Sequence, residues 1–334
     1  MRTERNNKYL IPSIVLGLII IIGSVYYFKS SNTKKETTTI KVGYLPIYVD
    51  LPLFVAQEKG FFKKNGVTVE LQRFESSPDM GTSIINHDID AAASIATSVA
   101  LTTESRDSGK FKVFIVDAAT KENYLSSFVA LKSSGITKIE MLKGKKIASF
   151  PGPTAVKFGK MVLERFGINP SKDIEWVELP ANTHIQALGE KTVDALFTYE
   201  PIATQAVLEK DALKISPGAV ETYIINPWQA GSWVINSSFL KSNPDLSKKF
   251  ILSIYQALDY MRNNPNEYKD ALLPYTKVKL NVANQTPNIP FTKISEVDIL
   301  TYQKYADLHT EKGLISKRID VKTILLPSTF LESK

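Results

Sequence analysis

IKVGYLPIYVDLPLFVAQEKGFFKKNGVTVELQRF, residues 40–74, holds two periodicities in one short stretch. Ile40 to Leu45 (IKVGYL) alternates as a half-buried strand does. Pro52 to Lys59 then reads as a helix with proline in its first turn, broken at Gly60. Val67 to Phe74 (VTVELQRF) is the next strand. Short apolar strands keep alternating with amphipathic helical stretches along the chain, which predicts an α/β fold with a largely parallel sheet.

Two helix-to-strand joins farther on repeat one design. A helix near Met80 to Asn86 runs into Asp88-Ile89-Asp90-Ala91-Ala92-Ala93-Ser94, and a helix near Thr183 to Gly189 runs into Thr192-Val193-Asp194-Ala195-Leu196-Phe197-Thr198. Each has a polar turn, an Asp-Ala pair and an apolar strand ending in small or hydroxyl residues. One device used once per lobe accounts for both, and so does coincidence between two common joins. Residues 40–334 are too many for one ordinary hydrophobic core and predict two lobes of roughly 100 to 200 residues each. Ligands of open α/β sheets sit beyond the carboxyl ends of the strands, so two such ends facing each other make a cleft.

Ahead of this body stands Tyr9 to Phe28 (YLIPSIVLGLIIIIGSVYYF), long enough for a helix to cross a bilayer. Arg2, Arg5 and Lys8, opposed only by Glu4, predict a cytoplasmic N-terminus over residues 1–8 and a transmembrane signal anchor over 9–28. A cleaved secretory signal is the alternative, although it has a shorter apolar core and an Ala-x-Ala-like exit that is missing here. A lipidated N-terminus needs a cysteine, and there is none. Residues 29–39 (KSSNTKKETTT) are polar and aperiodic, a flexible linker. The expectation is a single-pass protein of the cell membrane with an extracytoplasmic body, and the lack of cysteine suits an oxidising space.

The formal net charge is +7, but residues 1–36 hold six Lys or Arg against two Glu, leaving +3 for everything after. That excess is too small for a nucleic-acid partner. His87, His184 and His309 lie far apart without metal-ligand spacing and read as surface or helix-end residues; no metal site or cofactor is expected. No nucleophilic Cys and no Gly-x-Ser-x-Gly elbow occurs, so the reading is not an enzyme.

Gly43-Tyr44-Leu45-Pro46 and Phe54 to Leu71 (FVAQEKGFFKKNGVTVEL) open a run of motifs continued by Ile85 to Ala92 (INHDIDAA), Leu142 to Thr154 (LKGKKIASFPGPT), Leu163 to Asn169 (LERFGIN), Val193 to Pro201 (VDALFTYEP) and Ser238 to Pro244 (SFLKSNP). In this order they resemble the solute-binding proteins of ABC importers for nitrate, sulfonates, taurine and thiamine pyrimidine precursors. The resemblance implies a two-lobed, periplasmic-binding-protein-like (type II) clamp with two crossover strands, near Ser126 to Lys132 and Ala230 to Asn236. Lobe 1 would comprise residues 40–128 and 232–334, and lobe 2 residues 129–231. It also implies a small-molecule ligand and partners in an ABC permease and ATPase. A membrane-anchored ligand sensor or scaffold using the same clamp is the alternative. One similar protein is a pyrimidine-forming enzyme, whose cysteine-rich iron-binding motif has no counterpart in this chain.

Ligand-binding candidates follow from position and chemistry. Ser76 and Ser77, ahead of a helix, either cap it or hold the polar or anionic end of a ligand there, and Thr154 in Pro151-Gly152-Pro153-Thr154 stands in the same position in the second lobe. Ser94 and Asp117 end predicted strands. Tyr44, Tyr199, Trp228 and Trp233 offer aromatic surface, although rings are more often core. Tyr44 and Tyr199 stand where the similar proteins place pocket residues. Glu200 can accept a hydrogen bond from an amine or ring N–H. No Arg lies within the strand-end segments, which favours a ring-containing organic solute over nitrate.

Overall fold

The computed structural model describes residues 39–332. The expected anchor at 9–28, the cytoplasmic residues 1–8 and nearly all of the linker lie outside them; Thr39, expected as the last linker residue, is the first residue of a strand. Among the described residues no helix is long and apolar enough to cross a membrane.

Among the described residues eleven strands form two sheets. β1 (Thr39–Tyr44), β2 (Thr68–Arg73), β3 (Ala91–Ala96), β4 (Phe111–Asp117), β10 (Gly231–Asn236) and β11 (Phe291–Lys293) make the first, in the order β11-β4-β10-β3-β1-β2. β5 (Ser126–Leu131), β6 (Lys145–Ser149), β7 (Ile174–Glu178), β8 (Ala195–Tyr199) and β9 (Ala212–Pro217) make the second, in the order β7-β6-β8-β5-β9. β11 aside, the two orders are the same plan: second, first, third, an antiparallel insert, fourth. The insert of each sheet, β10 or β5, is the strand reached from the other sheet, and it runs antiparallel to both neighbours. The chain passes between the sheets at 118–125 and 224–230, where Ala119 and Trp228 pair as an isolated antiparallel bridge.

The two Asp-Ala joins do the same work in both sheets. Asp90 Oδ2 accepts from the Lys41 backbone N–H at 2.8 Å, and Asp194 Oδ2 accepts from that of Lys146, also at 2.8 Å. Their own N–H groups donate back to the carbonyls of Lys41 and Lys146. Each carboxylate thereby fixes the register of the sheet's third strand on its first, so the repeat is one physical device and not only a likeness of sequence.

The helix Leu51–Glu58 carries the expected proline in its first turn and is buried through Ala56, and the twenty-residue helix Pro244–Asn263 packs its apolar stripe on the first lobe. Phe62 stacks on Phe250 with centroids 5.6 Å apart. The helix Ile299–Glu311 brings Tyr302 and Tyr305 to the crossing, and Phe158 of the second lobe lies 6.1 Å from the Tyr305 ring. His184 opens a helix and His309 stands in the last turn of another, the expected helix-end positions, although both are buried; His87 is exposed. The His184 ring bridges the Leu179 carbonyl and the Thr198 hydroxyl, each at 3.0 Å, which ties a helix start to β8.

Candidate functional site

A cavity with about 600 Å³ of empty space, its open mouth included, lies where the strands of both sheets end. That is within the range of small-ligand pockets. Glu75, Ser76 and Ser77 follow β2, Ser94 and Ala96 end β3, and Asp117 ends β4. From the second sheet come Phe150 to Ala155 after β6, and Tyr199 at the end of β8. Trp228 and Ala230 reach it from the crossing.

Seven of the ten candidate residues line this cavity: Ser76, Ser77, Ser94, Asp117, Thr154, Tyr199 and Trp228. Tyr44, Glu200 and Trp233 do not, and strand alternation explains the first two. Leu45 faces the cavity, so its neighbour Tyr44 packs edge-on against Phe54 and Tyr275 at 5.4 and 5.9 Å. Tyr199 faces the cavity, so Glu200 turns away and accepts from Lys214 Nζ at 2.6 Å and from the Thr204 backbone N–H at 3.1 Å. Trp233 is core, against Phe114, but its Nε1 donates to Asp117 Oδ1 at 3.2 Å.

The walls differ in chemistry. On the second-lobe side Phe150 and Tyr199 stack with centroids 5.0 Å apart and planes 19° from parallel, and Tyr199 meets Trp228 at 5.8 Å. Trp228 is held by its Nε1–H to Tyr305 Oη at 3.0 Å. The Tyr199 hydroxyl is buried and has no partner within the chain; burial raises its pKa far beyond the physiological range, so it is a neutral phenol.

Acceptors dominate the first-lobe wall. Ser94 Oγ donates to Asp117 Oδ2 at 2.5 Å. Asp117 is fully buried, and burial lifts its carboxyl from the ordinary 3.8 to about 7 against the opposing pull of those two hydrogen bonds. Behind it Asp50, also fully buried, accepts from the Leu45 backbone N–H through Oδ2 while Oδ1 finds no partner. Glu75 takes Arg73 Nε on Oε1 at 2.9 Å, and its enclosed Oε2 is unpartnered. A β-carbon on Gly231 would stand 1.7 Å from Ser94 Oγ and 2.1 Å from Asp117 Oδ2, so only glycine lets β10 start so close to this pair.

Both helix starts have less to give an anion than their position implies. Ser76 Oγ donates to Asp79 Oδ2 at 2.6 Å and accepts the Asp79 N–H as a cap, while Ser77 Oγ accepts from the Ala96 N–H at 2.6 Å. Pro78, Pro151 and Pro153 have no N–H, and the Gly152 N–H goes to Glu178 Oε2 at 2.7 Å. Thr154 Oγ1 pairs with Ser98 Oγ across the lobes. Among the described residues no cluster of His, Cys, Asp or Glu is placed to hold a metal ion.

Phe150 and Glu75 are the residues that sequence reasoning left out. Phe150 is visible as an aromatic just past a strand, but nothing local distinguishes Glu75 from any surface carboxylate.

Two lobes that join strand ends around one cavity, with paired crossings behind it, define the binding-clamp class of α/β protein. The alkanesulfonate-binding protein SsuA of Xanthomonas axonopodis pv. citri, solved with MOPS bound, shares this fold with a TM-score of 0.70 at 17% identity, over 87% of this chain and 99% of that one. The chain belongs to the NMT1/THI5-like family, whose model matches residues 49–268. A Haemophilus influenzae protein assigned provisionally to thiamine biosynthesis is 25% identical over 321 residues, 93% of this chain and 95% of its own length. The 4-amino-5-hydroxymethyl-2-methylpyrimidine phosphate synthase THI11 of Saccharomyces cerevisiae is 25% identical over 247 residues, 69% of this chain and 68% of its own. Similar proteins therefore include a binder and a synthase.

Proposed function

We propose that this chain is the extracytoplasmic solute-binding component of an ABC importer, tied to the cell membrane by residues 9–28. It closes on a small organic solute and presents the closed form to a permease and its ATPase. One observation carries this reading: the cavity is built jointly from the strand ends of two sheets, with Asp117 and Ser94 on one side and Tyr199 and Phe150 on the other. Lobe 1, residues 40–128 and 232–334, and lobe 2, residues 129–231, are the jaws.

The jaws touch at the mouth. Pro78 Cγ lies where a β-carbon on Gly152 would meet it at 3.1 Å, and Gly152 has a φ of 108° that favours glycine. Tyr48 N–H donates to the Glu200 carbonyl at 3.1 Å. Such contacts exist only when the lobes are together, so a ligand that bridges both walls shifts the population toward the closed state. An unpartnered phenol and an enclosed carboxylate on opposite walls fit a binder, because nothing between them is placed as a nucleophile with its base.

The test is thermal unfolding of the full chain in detergent against sulfonates, taurine, nitrate, hydroxymethylpyrimidine and aromatic acids. A ligand at about 100 times its dissociation constant stabilises the fold by about 2.7 kcal/mol, which shows as a clear shift. A saturable shift supports solute capture. Silence across the panel from folded, ligand-free protein overturns it in favour of a sensor or scaffold.

A further inference from the structure

A second groove lies behind the crossings, lined by Lys157, Met161, Glu164, Arg165, Ile224 and Lys312, with about 700 Å³ of empty space, its open side included. One aromatic row separates it from the solute cavity. Trp228 lines the cavity and meets Phe158 at 5.5 Å, and Phe158 meets His309 at 5.9 Å. Lys157 and Met161 flank Phe158 on the helix Pro153–Arg165, and Lys312 follows the helix that carries His309. The groove thus takes its walls from lobe 2, from the second crossing through Ile224 and from lobe 1 through Lys312. Three cations line it against one carboxylate. Among the described residues Lys157, Glu164 and Arg165 have no ion-pair partner, and Lys312 has only its exposed neighbour Glu311, at 3.3 Å. Glu221, on the short helix before Ile224, spends its carboxylate on the Leu125 and Ser126 N–H groups. Arg165 and Lys312 stand at the carboxyl ends of their helices, where cations are favoured, but a helix end offers only about half a charge. Lys157, in the second turn of its helix, lacks even that reason to be there.

We propose that this groove is a second binding site, for a small polyanion of the phosphate class, and that its occupation holds the jaws closed. Lys157, Met161 and Arg165 follow one another at four-residue steps, so they share a helix face, with the two cations about 12 Å apart along it. Side chains of that length converge on one ligand. The Arg165 guanidinium can pair with a phosphate through two parallel N–H groups, and the lysines add point charges. Met161, buried, and Ile224, half-buried, give an apolar floor for an organic substituent. Because the lobes hinge about the crossings, opening the cavity in front narrows the groove behind it. An anion that bridges Lys312 to the lobe 2 helix resists that movement. Solute and anion then strengthen each other's binding by the same factor. The linkage rests on the clamp reading above; the site does not.

The probe is sodium pyrophosphate, titrated calorimetrically into the full chain in detergent at neutral pH and physiological salt. Saturable binding is expected, weakened about tenfold or more by Lys157→Gln with Arg165→Gln, as loss of charged hydrogen-bond partners does. Lys63→Gln, at an exposed position on another helix, should leave it unchanged. No saturable binding, or binding that the double variant keeps, overturns the site. Phosphatidylglycerol added to the micelles distinguishes the sources of phosphate: competition with pyrophosphate makes the resident a lipid headgroup, and no competition a soluble phosphate. Ser98→Cys with Thr154→Cys tests the linkage, because those hydroxyls meet across the lobes and the chain has no other thiol. Oxidised, with the jaws locked, this variant should bind pyrophosphate about fivefold or more tightly than when reduced. Pro78→Cys with Gly152→Cys, in contact at the mouth, supplies the lock if the first bridge does not form. Equal affinity in the two redox states overturns the linkage and leaves the site standing. Pyrophosphate binding alongside silence of the solute panel also leaves the site standing and overturns solute capture.

Discussion

Replacing Asp117 by Asn separates the charge of the buried carboxyl from its shape. Oδ1 of the amide can still accept from Trp233 Nε1, and its NH2 can donate to Ser94 Oγ, which turns from donor to acceptor. Only the titration is lost. In the wild type, burial carries the carboxyl from 3.8 to about 7 in the folded state. A raised carboxyl supports the fold while protonated, so its contribution is fully present below pH 3.8 and disappears as pH rises through about 7. The interval, 7 − 3.8, corresponds to about 4 kcal/mol. His184 runs the other way in an overlapping range. Burial lowers it from 6.5 to about 4, so its contribution is present above 6.5 and fades as pH falls through about 4. Subtracting one protein's curve from the other's cancels His184 and most of Asp50, whose carboxyl is raised mainly by its own burial. The assay is urea unfolding of the ligand-free full chain, followed by tryptophan fluorescence from about pH 4 to about pH 8. The Asn variant should gain about 4 kcal/mol on the wild type across that range. A difference that stays flat within about 1 kcal/mol refutes the argument, because the carboxyl would then titrate as it does in water.

Tyr199→Phe removes a hydroxyl that has no partner, so the ligand-free fold should be unchanged or up to about 1 kcal/mol more stable. The same variant should bind an identified ligand about tenfold more weakly; loss of stability with unchanged affinity would place the hydroxyl outside the site. Gly231→Ala puts a methyl group on Ser94 and Asp117 and should cost about 1–3 kcal/mol in denaturant unfolding, with wild-type stability showing that β10 stands farther off. Lys214→Met strands the buried Glu200 carboxylate and should cost about 3–5 kcal/mol, most of it recovered by adding Glu200→Gln; no recovery would mean that Lys214 acts through packing instead.

Much of this architecture was legible because it rests on local pattern. The alternation of IKVGYL, the proline before LFVAQE and the two Asp-Ala joins each encode a strand, a helix start or a register lock within a few residues. Element ends differ from the expected ones by one to three residues, as at Thr39–Tyr44 and Ser77–Ile85. The order of strands is a different kind of fact. It places β10 between β3 and β4, and that pairing, which brings Gly231 against Asp117, joins residues more than a hundred positions apart. Tyr44 and Glu200 show the same limit at smaller scale. Each sits next to a residue that lines the cavity, and a one-residue step along a strand reverses the face.

Position alone cannot say what a helix start binds. Ser76 caps one helix and Thr154 is the second residue of another beside the cavity, and a free helix end of that kind attracts anions. Attraction needs unspent N–H groups, however, and here the prolines remove some, Ser76 Oγ takes the N–H of Asp79 and Glu178 takes that of Gly152. The prolines and the Ser76 cap could be read from the sequence; the Glu178 carboxylate could not, because it lies twenty-six residues from the amide it occupies. What remains facing the cavity is a surplus of acceptors. A clamp closes on a ligand that satisfies the buried groups left unpaired in its jaws, and those groups, unlike the fold, are not shared out by strand order.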